Sequence, residues 1–264
     1  MAPLSKREIK DIKSLASKKG RTEKNMFLAE GVRLLEQARS LKAKPQQVLY
    51  APQVLSDRGL RLLDAWSQQG LTPRQVTSVD LEAVSDTRSP SGIAALFEIP
   101  RWNQEEPLRI RHRRILVCEN VADPGNLGTL LRGALAFGFG TVLATGKTVD
   151  AYSPKVVRSS AGAIFGLTLR AVDEATLLAW QESNQAQMAV TVLSGQPLRQ
   201  PLCQRMARSL LLLVVGSEAM GVSGPILDAA TWKFRIKHRA DVESLNVGMA
   251  GTIVMSRIYD ASRK

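Results

Sequence analysis

Residues 115–128 read Ile115-Leu116-Val117-Cys118-Glu119-Asn120-Val121-Ala122-Asp123-Pro124-Gly125-Asn126-Leu127-Gly128. Four apolar residues in unbroken succession describe a strand covered on both faces, because a half-exposed strand would alternate. Asp, Pro, Gly and Asn then turn the chain sharply, and apolar residues resume at helical spacing over 127–137. A buried strand that passes through a tight turn into a helix is the building unit of an α/β sheet. In open sheets of that kind, the loops at the carboxyl ends of the strands are where ligands bind.

The unit recurs toward the C-terminus. Strands are predicted over 141–145, 166–169, 188–193 and 210–215, with helices near 154–161, between the later strands, and over 245–261. Strands written as continuous apolar runs, alternating with helices, predict a parallel sheet with helices on both faces. Toward the N-terminus, residues 100–111 (PRWNQEEPLRIR) hold two prolines and mixed charge without periodicity, the character of a linker. It divides the chain into domains of residues 1–106 and 107–264. The first reads as a small α/β unit, with helices over 29–39 and 57–69 and strands over 48–50, near 76 and over 92–98. Ahead of these lie 24 residues with eight Lys/Arg against three acids. There Ser5-x-x-Glu8 forms a capping box, and Ile9, Ile12 and Leu15 recur at helical spacing. The stretch around Lys6 to Lys24 is therefore expected to be a basic amphipathic helix, either a solvated face or an RNA contact.

With 264 residues the chain is long enough for two cores. Hydrophobic residues at 44% and charged residues at 23% exclude a wholly disordered chain. The longest apolar run, six residues at 210–215, falls far short of the roughly 20 that a membrane-spanning helix needs. No membrane partner is expected. Lys+Arg 36 against Asp+Glu 24, for a net charge of +12 and a pI near 10.1, point to a polyanionic partner rather than to an inert basic surface. Two cysteines, Cys118 and Cys203, make neither a disulfide framework nor a thiolate metal site. Two histidines, His112 and His238, are too few for a histidine-rich zinc site and are expected at the surface or near RNA. No metal is expected. Phosphate-loop enzymes are excluded by motif. Gly138-Phe139-Gly140 stands at the end of a helix, where it reads as a C-cap and turn rather than a dinucleotide loop. The N-terminus lacks an apolar signal core, so a cytoplasmic protein is expected.

Two further loops share the character of 119–128. Gly216-Ser217-Glu218-Ala219-Met220-Gly221 follows the strand at 210–215, and glycine there admits a ligand close to the backbone. Val242-Glu243-Ser244-Leu245-Asn246-Val247 precedes an apolar helix containing Gly248 and Gly251, so Ser244 and Asn246 either cap that helix or hold a polar substrate. Asn126 falls at or near the N-cap of its own helix. Arg132 lies six residues on, about 600° of helix rotation, so the two side chains share no face.

In this order, N-x-x-D-P-G-N-x-G-x-x-x-R, G-S-E-x-x-G and S-L-N-V resemble the SpoU (TrmH-type) branch of the SPOUT RNA methyltransferases, over residues 115–264. Phe27-Leu28-Ala29-Glu30-Gly31 and Thr87-Arg88-Ser89-Pro90-Ser91-Gly92 resemble the L30e-like substrate-binding domain that often precedes that catalytic domain. The resemblance implies a SPOUT domain with a C-terminal trefoil knot and a homodimer with its cofactor sites by the interface. The implied reaction is methyl transfer from S-adenosylmethionine to a ribose 2′-OH of structured RNA, ribosomal RNA before tRNA. By position, Gly216, Ile236 and Leu245 would touch the cofactor, with Leu193, Ser194 and Gly195 beside them. Arg132 would activate the hydroxyl, with Asn126, Glu218, Ser244 and Asn246 as its polar surround. Because an arginine stays protonated, Arg132 is better suited to orient the hydroxyl and an RNA phosphate than to act as a base. The chain departs from the family at Ala219, where glycine is usual, and at Lys237-His238, where Pro-Met usually follows the isoleucine. Two alternatives compete with the enzyme: a catalytically silent RNA-binding or ribosome-assembly protein of the same fold, and a Rossmann-type small-molecule enzyme. The missing glycine fingerprint and the +12 charge weigh against the second.

Overall fold

The computed structural model describes residues 3–87, 90–100, 110–217, 221–239 and 241–263. They pack as two compact units, one made of the described residues through 100 together with Tyr152–Phe165, the other of the described residues 110–151 and 166–263. The boundary predicted at 106/107 and most of the linker around it lie outside the described residues.

In the first unit, α1 (Lys6–Ser14) opens on the predicted capping box: Glu8 N–H donates to Ser5 Oγ at 3.2 Å, and Ser5 N–H to Glu8 Oε2 at 2.8 Å. The single basic helix expected through Lys24 is instead two. The chain breaks after Leu15 and restarts as α2 (Lys18–Lys24) on the N-cap Ser17. Arg21, only 3% exposed, donates to the carbonyls of Leu15 at 2.7 Å and Ala16 at 3.0 Å. It thereby satisfies acceptors that the end of α1 leaves open. The helix expected from Ala29 starts later. Residues 26–30 form β1 (Met26–Glu30), because Phe27 and Ala29 bury opposite Phe97 and Ala95 of an antiparallel partner. Only after Gly31, at φ 105°, does α3 (Val32–Ser40) begin. β2 (Gln47–Tyr50), α4 (Asp57–Ser67), β3 (Arg74–Gln75), α5 (Ser78–Val84) and β4 (Ile93–Glu98) complete a four-stranded sheet of order β1-β4-β2-β3. α5, a seven-residue helix, is absent from the sequence expectations. Arg74 reaches back to Glu8 at 2.5 Å, tying α1 to β3 and holding the Glu8 carboxyl down at about 2. Tyr152 and Phe165 seal the opposite side of β1 and β4, with ring centroids 5.1 Å from Phe27 and 4.5 Å from Phe97 respectively.

In the second half of the chain the elements run β5 (Arg114–Glu119), α6 (Pro124–Ala136), β6 (Thr141–Thr145), α7 (Pro154–Ser159), β7 (Thr168–Ala171), α8 (Glu174–Ser183), β8 (Gln187–Pro197), α9 (Gln200–Arg208), β9 (Leu211–Gly216), α10 (Gly224–Asp228), β10 (Trp232–Arg235) and α11 (Val247–Ala261). Of these, α7 belongs to the first unit. The six strands form one sheet of order β10-β8-β9-β5-β6-β7, and every neighbouring pair is parallel. The predicted α/β class holds, and for the predicted reason. Ile115, Val117, Val190, Leu212 and Val214 pack on one face with Leu177 and Trp180 of α8 and Ile226 of α10. On the other, Leu130 of α6 and Gly251 of α11 meet at Val215. Gly138, at φ 74°, terminates α6 as expected of a C-cap.

Two strands depart from expectation. β10 is missing from the sequence-based series, because four residues alternating buried Trp232 and Phe234 with exposed Lys233 and Arg235 give too short a period-2 signal in a polar stretch. β8 does not end at Leu193 but continues to Pro197. Its pairing with β10 jumps: Lys233 lies opposite Val190 and the next residue, Phe234, opposite Gln196. Residues 191–195 therefore bulge out of the ladder. Among the described residues no helix is long and apolar enough to cross a membrane.

Candidate active site

The bulge forms one wall of a cavity of about 750 Å³ beside β8, β9 and β10. Its other walls are the start of the loop after β9 (Gly216, Ser217), the end of that loop (Gly221, Val222), the continuation of β10 (residues 235–238), residues 243–245, and Val247 and Ala250 of α11. The volume falls within the range of sites for small organic ligands. Four of the six predicted cofactor residues line it: Leu193, Gly216, Ile236 and Leu245. Ser194 and Gly195 are not among the lining residues. Gly195 has a packing role, since a Cβ there would sit 2.6 Å from Phe234 Cα and N, and glycine alone lets the bulge lie against β10.

Gly216 is needed by the protein before any ligand. A Cβ on it would lie 2.3 Å from Gly221 O, because the loop folds back over the strand end. Gly221 N–H donates to Ser217 O at 2.9 Å, and Gly221 takes φ 65°. Glu218 and Ala219, inside that loop, lie outside the described residues. The loop is braced from behind by Glu119, 3% exposed, whose Oε2 accepts from Ser223 N–H at 3.1 Å. Ser223 Oγ donates in turn to Glu174 Oε2 at 2.5 Å. In the sequence Glu119 passes for the first residue of a turn. An acid closing an apolar strand is the signal that marks it, since a buried carboxylate demands partners.

At the start of α6 the N-cap is Asp123, whose Oδ1 accepts from Asn126 N–H at 2.8 Å. Asn126, expected at or near the cap, stands one turn inside the helix, and its side chain is free for another role. Its Oδ1 accepts from Asn246 Nδ2 at 2.7 Å, joining residues 120 positions apart. Asn246 caps α11: its Oδ1 accepts from Gly248 N–H at 3.0 Å and Met249 N–H at 3.2 Å. Glycine makes the approach possible, as a Cβ on Gly248 would lie 3.1 Å from Thr129 Cβ and 3.2 Å from Asn126 O. Replacing Asn246 by alanine removes the cap and the interhelical bond, with an expected cost of about 1–2 kcal/mol. The aspartate variant keeps the cap and should lose less. Urea unfolding measures both, and an unchanged midpoint in the alanine variant would contradict the bracing role.

Ser244 lines the cavity and is exposed, and it is not the cap. Arg132 is exposed on α6, away from Asn126 as the helical spacing requires, and is not among the cavity-lining residues. Among the described residues its side chain makes no hydrogen bond or ion pair. The structure thus joins Asn126 to Asn246 and places Ser244 with the cofactor set, leaving Arg132 apart. Lys237 and His238, the departures from the family pattern, stand in the cavity wall, and His238 Nδ1 lies 3.0 Å from Arg239 O. His112 is exposed, its Nδ1 2.9 Å from Thr141 Oγ1. Burial pushes the Cys118 thiol up to about 12, which removes it as a nucleophile. Among the described residues no cluster of His, Cys, Asp and Glu could hold a metal.

Residues 113–256 match the SpoU rRNA Methylase family, and residues 6–95 match the MRM3-like substrate binding domain. An uncharacterized tRNA/rRNA methyltransferase of Synechocystis is 31% identical, over 97% of this chain and 90% of its own length. A Bacillus subtilis protein named 23S rRNA (guanosine(2553)-2′-O)-methyltransferase is 29% identical, over 94% of each chain. Among solved structures, an RNA 2′-O ribose methyltransferase superposes with a TM-score of 0.80 at 29% identity, covering 98% of this chain and 97% of its own. An AdoMet-bound rRNA methyltransferase of Sinorhizobium meliloti gives the same TM-score and coverage at 25% identity. The loops gathered around the cavity and α6 are those that carry the sequence resemblance, and with these matches the chain belongs to the SpoU rRNA Methylase family.

Proposed function

We propose that this protein transfers a methyl group from S-adenosylmethionine to a ribose 2′-hydroxyl of RNA, with ribosomal RNA as the substrate class. The observation that carries this reading is the cavity itself, built where the carboxyl ends of β8 and β9 meet residues 235–238 and 243–245. Leu193, Ile236 and Leu245 supply an apolar wall suited to an adenine ring and a thioether chain, and Ser217, Glu243 and Ser244 supply polar groups at its edge. The B. subtilis and S. meliloti relatives, by name a ribosomal RNA 2′-O-methyltransferase and an AdoMet-bound rRNA methyltransferase, support the same reading.

The bound cofactor would supply an electrophilic methyl group on a sulfonium. This chain's part is to hold it and to bring a poorly nucleophilic hydroxyl into line. Arg132 suits the second role, because its planar guanidinium can hold a phosphate oxygen and the hydroxyl together while remaining protonated. Since it stands apart from the cavity of its own chain, we assign it to the cavity of a second copy in a homodimer with the knotted topology that the family resemblance implies. Asn126, Glu218, Ser244 and Asn246 complete the polar surround in this proposal.

Calorimetric titration with S-adenosylmethionine, followed by mapping of 2′-O-methyl sites in ribosomal RNA with and without the protein, tests the reading. Binding and a protein-dependent site are expected. A folded protein that binds RNA but no cofactor would favour the silent RNA-binding alternative.

The first unit would hold the RNA. Lys6, Arg7, Lys10, Lys13 and Lys18 are exposed, whereas Arg21 is buried and Lys24 is bonded to Asp11 at 2.9 Å. Five phosphate contacts give a log–log salt slope near −3.5, about a hundredfold loss of affinity between about 50 and 200 mM salt. Gln at positions 10, 13 and 18 together should flatten the slope by about two units. An unchanged slope, measured by fluorescence anisotropy, would show α1 and α2 to be solvated only.

A further inference from the structure

β10 is an edge strand, bonded to β8 on one side and to no strand on the other among the described residues. Its side chains alternate, Trp232 and Phe234 inward, Lys233 and Arg235 outward. The chain then runs on through Ile236 into the cavity wall, and Lys237 and Arg239 are exposed as well. Four cations thus fall at alternate positions within seven residues that contain no acid. Arg239 pairs with Asp241 at 3.1 Å. Among the described residues, the side chains of Lys233, Arg235 and Lys237 make no hydrogen bond or ion pair.

We infer that this strand and its continuation are a track for the backbone of a single-stranded RNA segment, leading the target nucleotide into the cavity. The inference rests on the proposed RNA methylation. Three points support it. First, successive unpaired cations with no acid between them are complementary to a polyanion, and phosphate contacts position a nucleic acid without reading its sequence. Second, Lys233 and Arg235, alternate residues of β10, stand about 6.6 Å apart, a spacing that one extended RNA backbone can follow from phosphate to phosphate. Third, the track ends where it must: Lys233 lies outside the cavity, while Arg235 and Lys237 form part of its wall, so the phosphates flanking the target ribose would be held at the entrance. The strand under the track is held firmly. Trp232 and Phe234 are buried, and the Arg205 guanidinium lies 5.4 Å from the Trp232 ring. The rival explanation is that edge lysines deter pairing with another sheet.

The test uses the full chain and a labelled single-stranded RNA of about 20 mixed-sequence nucleotides. Lys233→Gln should reduce the salt slope of binding by about 0.7, and the triple change Lys233→Gln, Arg235→Gln and Lys237→Gln by about two. With 4-thiouridine in the probe, photo-crosslinks should map to residues 232–239, a readout that requires no variant to fold. Wild-type slope in both variants, or crosslinks confined to other segments, overturns the track. Self-association of the variants in light scattering, with RNA affinity unchanged, also overturns it, in favour of edge protection. A wild-type protein without salt-dependent RNA binding would bring down the methylation reading as well, so the two failures are distinguishable.

Discussion

Arg132→Ala lowers the methylation rate by roughly 10²-fold or more while leaving S-adenosylmethionine affinity nearly unchanged; that is the expected result if the guanidinium acts on the hydroxyl in the transition state. Its setting separates the two effects. Arg132 is exposed on α6, outside the cavity lining, and its side chain has no hydrogen-bond or ion-pair partner among the described residues, so its loss should disturb neither the pocket nor the fold. Lysine should not restore the rate, because an ammonium cannot present the two parallel donors that hold a phosphate and a hydroxyl together. If Arg132 serves a second copy's cavity, mixing Arg132→Ala with a variant defective only in cofactor binding should recover part of the activity. One site in the mixed dimer would then pair an intact arginine with an intact pocket. Single-turnover methylation with saturating cofactor measures the rate, and near-wild-type turnover in the alanine variant would remove Arg132 from the mechanism.

What is legible in the sequence, and what is not, follows from which interactions are local. Buried parallel strands are written as unbroken apolar runs, and β5, β6 and β9 stand within a residue or two of their expected places. β1 escapes such a reading because it is only five residues long and its last two, Ala29 and Glu30, favour the helix expected to start at residue 29. It is the distant pairing with β4 that makes those residues a strand. The break between α1 and α2 likewise depends on Arg21 folding back onto the carbonyls of residues 15 and 16, a contact that no periodicity reports. In the site, motif alone marks Gly216, Ile236 and Leu245, whereas the lining by Thr191 and Val192 follows from a bulge visible only in the pairing of β8 with β10. For Asn246 the sequence leaves two roles open, cap or polar group toward a substrate. The geometry shows the cap, and shows the same side chain joining Asn126.

Gly216→Ala should weaken cofactor binding at least a hundredfold, and valine at the same position should do so with a larger loss of stability. From sequence alone, valine at a strand end reads as tolerable to the fold and harmful only to a ligand. The backbone says otherwise. Even a single methyl group would lie 2.3 Å from Gly221 O and 2.5 Å from Gly221 C, and backbone atoms cannot turn aside as the end of a flexible side chain can. The loop after β9 must then open, pulling Gly221 and Val222 out of the cavity wall. Forcing atoms into a closed site costs about 1–3 kcal/mol for modest overpacking, so the thermal midpoint should fall together with affinity. Gly221→Ala separates strain from collision. Nothing lies within 4 Å of a Cβ there, and the only penalty is the left-handed backbone at φ 65°, on the order of 1 kcal/mol. Calorimetry should therefore show at least a hundredfold weaker S-adenosylmethionine binding in Gly216→Ala and a much smaller change in Gly221→Ala. Wild-type affinity in Gly216→Ala would mean that the cofactor does not occupy this cavity, whatever the loop does.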